Sequence, residues 1–265
     1  MQENISDEPN VLWTMNADTT IISKPFLFKN HTTKGNEILF QTADNKLYLQ
    51  NATGKTLWKT KLNEKIESEF FVIDAFKNGK FQMLFNTKNY LHLIDRNGNY
   101  VQGYPVKLPS SATNKLSVFD YENKNDQRLF IACADKKIYN YSIWGIKQDG
   151  FKPVHTVAEV ILPIKYCKIG LSDYLITADR KGNIHAFSRK GDGRIDFKNK
   201  LIENAEDIEI VAGNSIMNTQ IIYYDKMGHL LNKISLDDKK TIFNWQNHFC
   251  NSVNRLKPIL FNAPN

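Results

Sequence analysis

The chain has 265 residues, 42% hydrophobic and 12% aromatic, enough apolar material for a substantial core and too much for a disordered segment. Its formal charge of +7 is spread thinly, with no arginine-rich block of the kind that grips nucleic acid and no apolar run of about eighteen residues that would cross a bilayer. Cys133, Cys167 and Cys250 are odd in number and widely spaced, which gives neither a disulfide framework nor a CxxC metal knuckle.

The opening MQENISDEPN is polar and acidic and lacks the basic start and apolar middle of a secretory leader. The first apolar segment, VLWTMNADTTIISKPFLF at 11–28, lies over TLWKTKLNEKIESEFFVI at 56–73, with Trp13 on Trp58, Ile21 on Ile66 and Ser23 on Ser68. It reads as the outer strand of a sheet module whose other strands are distant in sequence. Next comes EILFQTAD and then NKLYLQNATGKTLWKTKL at 45–62, an alternating strand, a turn and a second strand.

That unit returns along the chain. Taking Leu47 as an anchor, the equivalents are Leu91, Ile138, Ile184 and Ile221, and each is followed seven places on by glycine: Gly54, Gly98, Gly145, Gly191 and Gly228. The anchors lie 44, 47, 46 and 37 residues apart. Asn51, Asp95, Ser142, Ser188 or Asp225 opens the turn by bonding nearby backbone, and the glycine supplies a positive φ. An apolar run precedes each anchor and another lies between units, so four strands fit in about 45 residues, the size of one propeller blade. No stretch keeps helical apolar spacing over three turns.

The expected fold is therefore all-β: a β-propeller of about six blades (five to seven), each a four-stranded antiparallel sheet. The expected blades are 23–62, 68–108, 114–157, 158–199 and 200–236, within a single domain over 1–265. Residues 237–265 plus 10–17 are expected to form a closing blade from both termini, or an incomplete one. Closure of this kind removes exposed sheet edges.

TADNKLYLQNATGKTLWKTKL resembles the blade of the PQQ-binding-like, quinoprotein-type propellers, through Leu47, Tyr48, Thr53, Gly54, Lys55 and Trp58. Later blades keep the glycine and lose the tryptophan, with Tyr104 near that place in the second. LFNTKNYLHLIDRNGNYVQGYPVKLPSSATN is also similar to large bacterial extracytoplasmic proteins that carry such a propeller toward one end. The resemblance implies an extracytoplasmic location, in the periplasm or at the outer membrane, and a chain that is part of a longer, membrane-associated protein. The superfamily includes quinone- and calcium-dependent alcohol dehydrogenases and non-catalytic scaffolds. The dehydrogenases characteristically have adjacent cysteines and a carboxylate cage; this sequence has neither, so the scaffold branch is the better fit.

No nucleophile elbow, Walker loop or HExxH occurs, and the six histidines are dispersed, so no catalytic, metal or cofactor residues are expected. His92 and His185 share the place taken by Tyr48 and Tyr139 and read as packed strand residues. Trp13 and Trp58, in matching repeats, read as packing between blades, whereas Trp144, one residue before a turn glycine, is the best aromatic candidate for a surface contact. The turns before the anchors carry Lys46, Lys88, Lys136, Lys137, Arg180 and Lys181. Equivalent loops emerge on one face of a propeller, so these six form a candidate basic rim for a protein or anionic polymer. The expected function is a non-enzymatic interaction scaffold with no specific nucleic-acid role. The alternative is a quinoprotein-type oxidoreductase or carbohydrate-binding module using the central channel.

Overall fold

The computed structural model describes residues 13–15, 17–224 and 230–244, which contain twenty strands and no α-helix. They form five four-stranded antiparallel sheets, each a simple meander. Sheet 1 is β1 (Phe26–Lys29), β2 (Asn36–Gln41), β3 (Lys46–Gln50) and β4 (Thr56–Lys61). Sheet 2 is β5 (Phe71–Ile73), β6 (Gln82–Asn86), β7 (Tyr90–Asp95) and β8 (Val106–Lys107). Sheet 3 is β9 (Ser117–Phe119), β10 (Arg128–Cys133), β11 (Lys137–Ser142) and β12 (Val154–His155). Sheet 4 is β13 (Lys165–Ile169), β14 (Ser172–Ala178), β15 (Ile184–Phe187) and β16 (Gly193–Ile195). Sheet 5 is β17 (Glu209–Val211), β18 (Gln220–Tyr224), β19 (Leu230–Ser235) and β20 (Lys240–Asn244). This is a β-propeller.

The middle two strands of sheets 2, 3 and 4 are largely apolar on both sides because a neighbouring sheet covers each face, as in a stack of blades. Leu39, Leu47 and Leu49 of sheet 1 pack with Met83, Phe85 and Ile94 of sheet 2. Leu84, Leu91 and Leu93 then pack with Leu129, Ile131 and Tyr141 of sheet 3. Phe130 and Ile138 meet Leu175 and Phe187 of sheet 4, whose other face carries Ile176 and Ile184 against Ile221 and Ile234 of sheet 5. The core is thus four successive layers between neighbours, not one centre.

The repeated turn closes the third and fourth strands. In sheet 1 the Asn51 N–H donates to Lys55 O and the Gly54 N–H donates to Asn51 O, and the same pair of bonds recurs at Asp95/Gly98, Ser142/Gly145 and Ser188/Gly191. All four glycines have positive φ, from +72° to +85°. In sheet 5 the pair is Ser235 and Asp238: Ser235 N–H donates to Lys239 O, Asp238 N–H to Ser235 O, and Asp238 has φ +64°. The anchor of the fifth unit is therefore Leu231 and not Ile221, which lies in the second strand, paired with Ile234. An aspartate tolerates the left-handed conformation because its short side chain bonds locally, so no glycine is needed there. Gly228 lies outside the described residues. With Leu231 the last spacing becomes 47 residues, in line with the others. Strand β20 falls within the segment expected to start a closing blade; the rest of that segment, 245–265, lies outside the described residues.

Each of these turns is held by a residue in or beside the outer strand of the preceding unit, although residues 13–15, expected as an outer strand, form no strand. Trp58 Nε1 donates to Arg96 O at 2.7 Å while its ring lies under Gly98, where an added Cβ would sit 2.9 Å from Cδ2. Trp13 repeats this one unit earlier, donating to Ala52 O at 2.8 Å and covering Gly54. Tyr104 donates from its hydroxyl to Ile143 O, Lys152 N–H to Lys190 O, and Lys198 N–H to the Asp238 carboxylate. The clamp therefore persists where the tryptophan is lost.

Because each sheet is a meander, its second-to-third-strand turn and its connector to the next sheet lie at one end, and the other two turns lie at the opposite end. The connectors are tied down by buried amides. Gln41 Oε1 accepts the Ile66 N–H at 2.9 Å and Asn86 Oδ1 accepts the Leu116 N–H at 2.9 Å, which satisfies backbone that would otherwise be orphaned. Ser23 and Ser68 accept the N–H groups of Gln41 and Asn86, so the two aligned segments do the same job.

Candidate functional site

The six cations of the candidate basic rim sit on or beside the second-to-third-strand turns of sheets 1 to 4, all on the connector end. These turns are three to five residues long, and tight geometry forces polar side chains outward: Asn45 and Lys136 have φ +61° and +60°. Half of the cations are neutralised locally. Lys46 pairs with Asp44 at 2.7 Å and with Asp18 at 3.5 Å, Lys137 lies 3.9 Å from Asp135, and Arg180 pairs with Glu159. The bond to Asp44 raises Lys46, and the same bond pulls the Asp44 carboxyl down to about 2. Lys88, Lys136 and Lys181 are exposed and have no carboxylate partner among the described residues.

Beneath Lys181, Asp179 is fully buried and closes its turn by accepting the N–H groups of Lys181 and Asn183 at 3.0 Å. Burial alone would raise its carboxyl, but bonds from Asn183 and His185 hold it below the usual range. His92 is buried against Phe85 (ring centroids 4.8 Å apart), with Thr87 Oγ1 at 3.2 Å and Tyr100 Oη at 2.9 Å from its two nitrogens. Burial lowers its pKa to about 4, so it is neutral. These two histidines lie in different inter-sheet layers. Among the described residues no three His, Cys, Asp or Glu side chains gather as a metal would require.

Trp144 stands at the other end of the molecule. It is exposed and meets Phe76 edge to face, with ring centroids 5.5 Å apart. The structure therefore does not bring Trp144 together with the cations. Sequence reasoning missed Phe76 and several further exposed apolar side chains on that end, at Ile146, Leu171, Ile216 and Met217. Their one sequence signal is one or two large apolar residues inside a turn-rich stretch such as GNSIMNT. Two grooves open on the surface, one on sheet 1 beside the preceding segment and one between sheets 3 and 4. One is lined by Met15, Asp18, Tyr48 and Lys59, the other by His155, His185, Phe187 and Phe197. In the first, Asp18 accepts from the Tyr48 hydroxyl at 2.7 Å and pairs with Lys59, so its polar groups already satisfy one another.

No protein-family model and no curated protein sequence matches the chain. Among solved structures it is similar to BBS1N, crystallised in complex with ARL6DN, with a TM-score of 0.62 and 11% identity over 87% of this chain and 71% of that one. It is also similar to BamB from Moraxella catarrhalis, with a TM-score of 0.60 and 16% identity over 86% of this chain and 66% of that one. At these identities the likeness is one of fold, and both comparisons support the propeller.

Proposed function

We propose that this propeller is a non-catalytic interaction scaffold that recruits an acidic protein through its connector-side face. Lys88, Lys136 and Lys181 are the contact residues, and Lys46, Lys137 and Arg180 extend the rim. One observation carries the reading: in three successive sheets the same short turn projects a lysine without a carboxylate partner, on a rigid support that loses little freedom on binding. The complex between BBS1N and ARL6DN supports protein binding as a use for this fold. The match of Leu47, Tyr48, Thr53, Gly54, Lys55 and Trp58 to quinoprotein-type blades supports membership of that branch and an extracytoplasmic location.

The test is capture from membrane and periplasmic extracts, with the wild type and with Lys88→Glu, Lys136→Glu and Lys181→Glu combined. A protein retained at low salt, released at high salt and lost with the triple variant is the expected result. A partner that stays bound after the triple reversal refutes the assignment, and turnover of an alcohol with a quinone refutes the non-catalytic reading.

A further inference from the structure

The end of the propeller opposite the basic rim has a different chemistry. Phe76, Trp144, Ile146, Leu171, Ile216 and Met217 are all exposed there, on first-to-second or third-to-fourth-strand loops of sheets 2 to 5. Leu171 is 99% exposed at the tip of a two-residue turn with Gly170, a place where any polar residue would fit. Ile146 is 65% exposed and Met217 62%. Isolated apolar side chains on a surface are ordinary. The connector end has Ile21, Ile22 and Val157, but no exposed phenylalanine, tryptophan or methionine among the described residues.

Cations are interleaved with these tips. Lys77, Lys80 and Lys147 lie on the loops of Phe76 and Trp144, and Lys190 on the third-to-fourth-strand loop of sheet 4, all exposed, with no carboxylate partner among the described residues. The carboxylates of this end are largely spoken for: Glu122 pairs with Lys124, Asp126 with Arg128 and Asp192 with Lys152, while Asp149 has no ion-pair partner among the described residues. The Phe76 loop, the first-to-second-strand loop of sheet 3 and the third-to-fourth-strand loop of sheet 4 are neighbours in space, since Lys77 Nζ donates to Lys124 O at 3.0 Å and Arg189 lies 4.0 Å from Glu122.

We propose that this end docks onto an anionic lipid bilayer, with the apolar tips entering the interface and the lysines meeting headgroup phosphates. The spacing of the tips favours lipid over protein. A protein hot spot is a contiguous cluster filling a pocket, whereas these tips are spread over the loops of four sheets, with Phe76 set against Trp144. A fluid interface accepts separate tips entering side by side, and tryptophan with flanking cations is its characteristic residue set.

The test is co-sedimentation with vesicles of phosphatidylcholine alone and of phosphatidylcholine mixed with phosphatidylglycerol. The wild type is expected to bind the mixed vesicles and not the neutral ones. Leu171→Ser and the pair Phe76→Ser with Trp144→Ser are each expected to weaken binding about tenfold, while leaving thermal unfolding unchanged because these side chains are outside the core. The triple lysine reversal on the opposite rim is expected to leave vesicle binding intact. Failure to bind phosphatidylglycerol, or binding indifferent to the tip substitutions, overturns the proposal. So does loss of vesicle binding with the rim triple, which would assign lipid to the other face, or capture of a protein by the tips without lipid binding.

Discussion

Replacing Gly98 by alanine separates the two demands placed on the repeated turn. Gly98 and Gly150 have similar backbone conformations, φ +85° and +76°, so an alanine at either costs about 1 kcal/mol of left-handed strain. Around Gly150 there is nothing within 4 Å of the new methyl, whereas at Gly98 it would stand 2.9 Å from the Trp58 ring. Trp58 must then move. Its bond to Arg96 O is worth about 1 kcal/mol, and the displaced ring also packs less closely against the turn. Gly98→Ala is therefore expected to cost about 2–3 kcal/mol against about 1 for Gly150→Ala, as measured by urea unfolding. In a Trp58→Ala background the obstruction is gone, and the cost of Gly98→Ala should fall to that of Gly150→Ala, a coupling of about 1–2 kcal/mol. Equal costs of Gly98→Ala in both backgrounds would show that the tryptophan does not clamp the turn.

His92 makes stability depend on pH. Its folded pKa of about 4 lies below the ordinary 6.5, so the unfolded chain takes up the proton first as pH falls; stability is complete above pH 6.5 and declines toward pH 4, by up to about 3 kcal/mol. His92→Asn should flatten that part of the profile. Asp238→Ala should cost about 1–2 kcal/mol, because alanine takes the left-handed conformation poorly and leaves the Lys198 and Asn199 N–H groups without the carboxylate. Asp238→Asn, which keeps an acceptor, should cost less in the same urea titration. Burial pushes the thiols of Cys133 and Cys167 up to about 12 and about 11, so in a Cys250→Ser background neither should react with iodoacetamide at neutral pH until the protein is unfolded.

The propeller was legible because its turns use few residue types at a fixed offset, and because Trp13/Trp58 and Ser23/Ser68 recur one unit apart and make equivalent hydrogen bonds. The fifth unit was misplaced for a chemical reason. A search for glycine passes over Asp238, whose backbone occupies the glycine conformation, and settles on Gly228 after Ile221. The visible warning was the spacing of 37 residues, against 44 to 47 elsewhere. The rim was legible as a set of positions but not as a set of charges. Lys46 finds Asp18 from a segment 28 residues away and Arg180 finds Glu159 on a connector, partners that only tertiary structure brings together. The apolar tips carried no periodic signal at all, since they fall singly or in pairs among turn residues.

The two ends differ because their loops solve the backbone problem differently. At the connector end the turns are short, and the connectors' N–H groups are bonded by buried side chains such as Gln41 and Asn86. At the other end the longer loops are satisfied from their own first residue. Asp74 accepts the N–H groups of Asn78 and Gly79 at 3.0 and 2.9 Å, and Asp120 accepts those of Lys124 and Asn125 at 3.1 and 2.7 Å. A loop braced at its foot by one carboxylate does not depend on its tip, so Phe76 can be exposed without any part in folding. It follows that Asp74→Ala and Phe76→Ser should behave as opposites: the first should lower stability by about 1–2 kcal/mol, while the second should leave the unfolding midpoint unchanged. A Phe76→Ser variant that unfolds as easily as Asp74→Ala would mean that the tip is part of the core and is not free to meet a partner.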